Sequence, residues 1–346
     1  MGLIAFQKGK INMKEKELIM KGSKKSLWQK MQTLEGQKWT LIILFSLIPL
    51  AMLLLFTYIP FAQMVEFSFY DMKYSTPMDK RKFVGWKNYI DIFKRDDTLE
   101  GLLRSGYYMV GAIVQIVLSM YLAVVLTGKM RAKNLFKGIM FFPYMINAIA
   151  IGFIFKFFFT RTFVFDTVLQ WFGFSQESLP YWLRDKAVNN WSLAFSSVWR
   201  YFGQNMVLFG GAIMSIDTTL FEAAEIDGAN KWQQFVNITL PSIRTIITLN
   251  VIMAITGSLS AFEQPFVVTG GANGTATYFI VMHNLAHVSQ KIGLASAMSI
   301  VLFIVIIIFT IGQRAIFKYL FREADSEVES YEAKKARKKS KKTRKV

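Results

Sequence analysis

The chain has 346 residues, 53% hydrophobic, 15% aromatic and only 18% charged, with 41 Lys+Arg against 23 Asp+Glu for a net charge of +18. So high an apolar content excludes a disordered basic protein, and a soluble nucleic-acid binder would account for the +18 but not for 32 Phe and 18 Met. Cysteine is absent, which removes disulfide frameworks, thiolate metal sites and cysteine nucleophiles together.

Residues 1–38 are mostly polar and carry nine Lys and three Glu, so they read as a basic cytoplasmic segment. The apolar run that follows is too long for the core of a cleavable signal. About 20 apolar residues cross a bilayer as a helix. Leu41–Phe61, Ser105–Gly128 and Ile292–Gln313 meet that length without a single charge. Gly138–Phe159 spans with one late charge, Lys156, placed to snorkel towards the interface. Asn189–Ile216 contains Arg200, and Thr245–Val268 contains Glu263 near its end. Six helices make an all-α membrane protein: a transmembrane domain over 39–320, flanked by the basic segment and by a tail at 321–346. Nine of the twelve residues from Lys334 to Lys345 are basic, a composition that predicts disorder and a topology-fixing role.

Cytoplasmic loops carry excess Lys and Arg. Residues 1–38 carry +6, 129–137 carry +4 and 314–346 carry +7, whereas 65–104, 161–188 and 269–291 carry +1, 0 and +1. Both termini are therefore expected in the cytoplasm. One loop on that side breaks the pattern, because 217–244 is net −2 and is 28 residues long, where helix–helix connections usually take about 2–8. Within it, Thr219 and Glu222 have capping-box spacing for a helix over Leu220–Asp227. Gly228 is placed to end that helix, and Asn230 with Gln233 to cap a second one. Trp232, Phe235, Val236 and Thr239 would share the second helix's apolar face. Pro241 suits the first turn of the next span. The loop thus reads as two cytoplasmic helices joined by a tight turn, at 217–241.

Polar groups inside spans are functional candidates. Arg200, Gln204 and Asn205 lie within about a turn and a half of each other, and Phe262, Glu263 and Gln264 close the fifth span. They are candidates for a translocation path, with an Arg200–Glu263 pair serving stability as the other reading. His283 and His287 share a helical face but lack the Glu of a HExxH site, so no metal is expected. No Walker sequence occurs, so any ATP hydrolysis belongs to another chain.

The loop sequence EAAEIDGANKWQQFVNITLP resembles the EAA loop of the membrane subunits of bacterial ABC importers, on Glu222, Ala223, Ala224, Gly228, Ile238, Leu240 and Pro241. Asp227, Ala229 and Phe235 are similar to the carbohydrate-importer branch, the maltose, glycerol-phosphate and multiple-sugar type. AFEQPFVVTGGANGTAT at 261–277 with GLASA at 293–297, and FVGWKNYIDIF at 83–93, resemble further segments of those permeases. The sequence departs from them at Glu263, where Asp is usual, and at Asn273-Gly274, where a Pro is common.

The resemblance implies a type I ABC importer permease fold forming half of an alternating-access path for sugars or oligosaccharides. It implies no enzymatic activity and no cofactor in this chain, with ATP and Mg in a separate ATPase. The implied partners are a second homologous permease, two cytoplasmic ATPase subunits, an extracytoplasmic solute-binding protein, membrane lipid and a sugar, and no nucleic acid. Glu222 would anchor the loop to the ATPase, Ala223 and Ala224 would allow close approach, and Gly228 would make the turn. An ion-coupled secondary transporter or a channel is the competing class.

Overall fold

The computed structural model describes residues 34–128 and 130–320. The expectations for residues 1–33, for Lys129 and for the basic tail at 321–346 lie outside the described residues. The chain divides into two units after Gln63.

The first unit is built on α1 (Leu34–Leu53), which a π-turn at Leu54–Tyr58 joins to α2 (Ile59–Phe67). The cause of the widened turn is local. Pro60 has no N–H to offer the Phe56 carbonyl and its ring would press on that oxygen. The Ile59 N–H instead reaches back five residues to the Leu54 carbonyl, which makes room for the ring. Gln37–Phe67 is long and apolar enough to cross a membrane.

The second unit opens with a two-residue antiparallel pair, β1 (Tyr70–Asp71) and β2 (Lys82–Phe83). The segment 83–93 then turns through Gly85 into α3 (Lys87–Lys94). Its Asn88 is buried and donates to the carbonyls of Ser68 (2.8 Å) and Tyr70 (3.0 Å). Trp86, Tyr89 and Phe69 pack their rings beside it, 5.2–5.7 Å apart. α13 (Ile292–Leu320) docks on this knot, because the Ile292 N–H donates to Met72 O at 3.1 Å. A Cβ at Gly293 would lie 1.8 Å from Tyr70 O, so only glycine permits that approach.

The long helices are α4 (Asp96–Thr127), α8 (Asn189–Met214), α10 (Arg244–Leu259) and α13 (Ile292–Leu320). α4 is the hub and packs against α8, α10 and α12 (Tyr278–His283). Buried apolar residues from facing helices interlock there, including Ile116, Leu126, Met206, Phe209 and Ile247. Ser119 Oγ donates to the Phe202 carbonyl across the α4–α8 contact at 2.8 Å. Such a bond is useful where neither helix has water to turn to.

Among the described residues four helices are long and apolar enough to cross a membrane, Arg244–Thr269 among them because α11 (Glu263–Thr269) continues α10. Two bent pairs bring the total to as many as six, the expected number. One bent pair corrects the sequence reading. The span expected as one helix at 138–159 is two, α5 (Lys133–Met145) and α6 (Ala148–Phe158), bent by 97°. Pro143 weakens the end of α5, and the Asn147 side chain accepts the Ile149 N–H at 2.8 Å, which caps a new helix at that point.

Beyond α6, α7 (Val164–Trp171) is oriented by Asp166, which is fully buried. Its carboxylate accepts the Thr162 N–H (2.7 Å), the Gln176 amide (2.9 Å) and the Trp182 indole (2.7 Å). Burial alone would raise its pKa, but these three donors and the charge of Arg161 outweigh that and hold it below the ordinary 3.8. The stabilisation is therefore present above about pH 4 and is lost as pH falls through the lowered value. Asp166→Ala leaves three donors without their acceptor and is expected to cost about 2–4 kcal/mol locally. Hydrogen exchange should show residues 161–182 deprotected in the variant while α4 and α8 stay protected. Unchanged protection of that loop would refute the assignment.

Candidate functional site: a polar loop and an intramembrane ion pair

α9 (Thr218–Ile226) leaves α8 at a 72° bend and carries the Glu-Ala-Ala sequence. Its cap differs from the expected one. Asp217, not Thr219, is the N-cap, accepting the Thr219 N–H at 3.0 Å, so the helix starts two residues early. The carboxylate is the better acceptor, and those same bonds keep its pKa low. The Glu222 side chain is thereby released from any capping duty. α9 has no buried residue: Glu222, Ala223 and Asp227 are exposed, Ala224 is half-buried, and Leu220 and Ile226 are 49% and 87% exposed.

The turn follows the sequence reading. Gly228 has φ +77°, and the Ala229 N–H closes back on Ala224 O at 2.8 Å. Asn230 and Gln233 form the reciprocal capping box, at 2.9 and 2.8 Å. Lys231 Nζ reaches Glu225 at 2.6 Å and so fastens the second helical stretch to α9. Glu222 takes part in no ion pair among the described residues.

The expected second helix is corrected. Lys231–Gln234 gives way to a π-turn over Phe235–Thr239 before Leu240–Ser242. The cause repeats that of the first span. Pro241 would press on the Asn237 carbonyl, and the Leu240 N–H reaches back five residues to Phe235 O instead. The extra residue rotates the face, so Gln234 and Thr239 are buried while Trp232 is 71% exposed beside Phe235, ring centroids 5.5 Å apart. Phe235, Leu240 and Pro241 are half-buried, as is Ala229, while Val236 faces outward.

Deeper in the chain, the structure joins two candidates that are 63 residues apart. Arg200 on α8 forms an ion pair through Nη1 with Glu263 at the start of α11. The guanidinium also donates to the Tyr201 hydroxyl at 3.2 Å and lies 5.0 Å from that ring's centroid. Tyr144 follows at 6.1 Å. Glu263 is 47% exposed and Arg200 13%, so the pair has one wet and one dry partner. Gln264 is buried, and its Nε2 has no hydrogen-bond partner among the described residues. Gln204 is half-buried and Asn205 is buried on α8.

Three comparisons with known proteins bear on this arrangement. Residues 115–322 match the model of the family described as the binding-protein-dependent transport system inner membrane component. The chain belongs to that family. It is 31% identical over 252 residues to the probable ABC transporter permease protein YurN of Bacillus subtilis, covering 71% of this chain and 86% of that protein. It is 29% identical to the probable starch degradation products permease AmyD of Thermoanaerobacterium thermosulfurigenes, covering 67% and 79%. In fold it is similar to a chain of a bacterial ABC transporter involved in the import of the acidic polysaccharide alginate. The TM-score is 0.71 at 19% identity, over 85% of this chain and 98% of that one.

The loop at 270–277 lacks the proline that is common in the permeases it resembles, and the backbone there gives a physical explanation. Asn273 and Gly274 have φ +56° and +78°, which a proline ring fixed near −65° cannot adopt. Asn189 and Asn190 hold this loop by donating to the carbonyls of Asn273 (2.8 Å) and Gly274 (3.1 Å).

Sequence reasoning missed the aromatic run beside the ion pair. Phe262 stacks on Phe266 at 4.6 Å, and His283 lies 5.0 and 5.2 Å from those two rings. His287 follows at 4.6 Å from His283. The four-residue spacing of the histidines was the available signal, and it gave the shared face but not its phenyl neighbours. Burial and the neighbouring His287 lower the His283 pKa below the ordinary imidazole value.

Proposed function

We propose that this chain is the permease subunit of an ATP-driven, binding-protein-dependent importer of sugars or oligosaccharides, multi-pass in the bacterial cell membrane with both termini cytoplasmic. The observation that carries the reading is α9, a short exposed helix with a carboxylate at Glu222 that forms no ion pair among the described residues, small residues at Ala223 and Ala224, and a left-handed glycine stop. Small side chains let a cleft close on the helix, and the carboxylate fixes its register on a basic group. Because Lys231 ties α9 to the following helical stretch, a push on α9 passes to α8 and α10 as one body. ATP hydrolysis, with its Mg, falls to two ATPase subunits that receive this loop. A second permease completes the path and an extracytoplasmic binding protein delivers the solute. Coupling is then a shift between inward-open and outward-open states, biased by nucleotide and by the loaded binding protein.

The carbohydrate class is supported by the starch-product relative and by the aromatic and amide groups around Phe262, Gln264, Gln204 and Asn205. Aromatic faces and hydrogen-bonding amides are what a sugar's apolar face and hydroxyl rim require. The test is uptake of labelled oligosaccharide by proteoliposomes holding the whole complex. Transport should require internal ATP, the ATPase subunits and the loaded binding protein. Uptake driven by an ion gradient without ATP would overturn the reading. Orientation is open to single-cysteine labelling without background, since the chain has no cysteine of its own.

A further inference from the structure

The short helix α3 turns its apolar residues outward. Asn88 and Ile92 are buried against the protein, whereas Trp86, Ile90 and Phe93 are 66%, 51% and 63% exposed. Their i, i+4, i+7 spacing makes them one stripe that points away from the buried face. Along one edge of the stripe stand Lys87 and Lys94, both exposed, with the half-buried Asp91 between them. Neither lysine forms an ion pair among the described residues.

The depth of α3 says what covers this stripe. α13 carries no charge between Lys291 and Arg314, a run of 22 residues. Such a run rises about 33 Å, against about 30 Å for the hydrocarbon core of a bilayer. Ile292 therefore stands where that core ends, and α3 packs at this level. A Cβ at Gly293 would lie 3.1 Å from Asn88 Nδ2. Ile92 shares a core cluster with Leu294, Ala295 and Met298, which lie in the first two turns of α13. A protein partner suits the stripe less well than lipid does, because the buried centre of a protein interface is depleted in Lys. Trp and Phe flanked by lysines are instead the composition of a helix lying in the headgroup layer.

We infer that α3 is an interfacial anchor whose Trp86, Ile90 and Phe93 face inserts into lipid, at the boundary of acyl chains and headgroups in the leaflet where α13 begins. Lys87 and Lys94 extend their ammonium groups to the phosphates. α3 runs into α4 through Arg95 and packs on the head of α13, so the anchor sets the depth of both helices. The inference rests on the membrane placement of α13 and not on the solute carried.

The test is nitroxide labelling of Ile90→Cys and Phe93→Cys, with Lys87→Cys as reference, in the intact complex in phosphatidylcholine–phosphatidylglycerol nanodiscs. Collisions with oxygen, which concentrates in lipid, should exceed those with a water-soluble nickel chelate at positions 90 and 93. The ratio should place both labels about 5–10 Å into the boundary layer. At position 87 the preference should reverse. Nickel access at 90 and 93 equal to that at 87 would put the stripe in water, and exclusion of both reagents would put it against a protein subunit. Either result overturns the proposal. Gel filtration of each labelled complex verifies assembly, and the two labelled positions test the face independently. Stimulation of ATP hydrolysis by the loaded binding protein, read on the same samples, tests the transport reading separately.

Discussion

Replacing Gly228 by Asp should abolish ATP-driven uptake while the protein still inserts in the membrane. Gly228 has φ +77°, a conformation that costs other residues about 1–2 kcal/mol. That is too little to unfold a chain whose core lies between α4, α8 and α10, and a Cβ at this position meets nothing within 4 Å. The damage is confined to the loop. The bond from Ala229 N–H to Ala224 O sets the angle between α9 and the capped stretch after Asn230, and a strained turn changes that angle. The new carboxylate adds repulsion next to Asp227 on the face proposed to meet the ATPase. Coupling free energies between sites are typically 1–3 kcal/mol, so their loss is worth roughly 5- to 150-fold in transport. The measurement pairs membrane-fraction abundance with uptake and with stimulation of ATP hydrolysis by the loaded binding protein. Normal abundance with lost uptake and lost stimulation is expected, and Gly228→Ala should fall between. Normal uptake in Gly228→Asp would sink the coupling role.

What was legible in the sequence follows the range of the forces involved. Gly228, the Asn230–Gln233 box and the membrane-length runs are local or compositional, and the structure keeps them. The cap at Asp217 was misread by two residues because several side chains near a helix start compete for the same N–H groups, and geometry alone selects the winner. Of the three π-turns among the described residues, those at Leu54–Tyr58 and Phe235–Thr239 were traceable to Pro60 and Pro241, while the one at Asn284–Val288 has no proline after it. A proline at the mouth of a helix looks like an ordinary first-turn residue unless the preceding segment is helical too, and here it is in both cases. The 97° break at 146–147 hid inside an unbroken apolar run, since hydropathy records depth and not direction. The partners of Asp166 lie 4, 10 and 16 residues away, and Arg200 and Glu263 lie 63 apart. Arg200 and Glu263 stood out by type where Asp166 did not, and in each case only the packing says which group meets which.

The Arg200–Glu263 pair invites a test that separates a structural bond from a transport surface. Glu263→Gln should leave the guanidinium, 13% exposed, without its counter-charge. A fully buried charge stranded in this way costs about 3–5 kcal/mol. The half-exposed Glu263 lets water reach this site, so about 1–2 kcal/mol is the expected loss. Removing Arg200 as well, in the double variant Arg200→Gln with Glu263→Gln, deletes the stranded charge and should restore most of the thermal stability. The pair borders Tyr201, Tyr144 and the Phe262–Phe266 stack, a surface with the polar and aromatic character that a passing sugar needs. Uptake by the double variant should therefore remain low, by roughly tenfold or more for the loss of charge-assisted hydrogen bonds to solute. Melting temperature and oligosaccharide uptake, read on the same proteoliposome preparation, decide the matter. Recovery of both would make the pair a brace between α8 and α11. Recovery of stability alone assigns Arg200 and Glu263 to the path, with each charge held in place by the other until a solute hydroxyl competes for it.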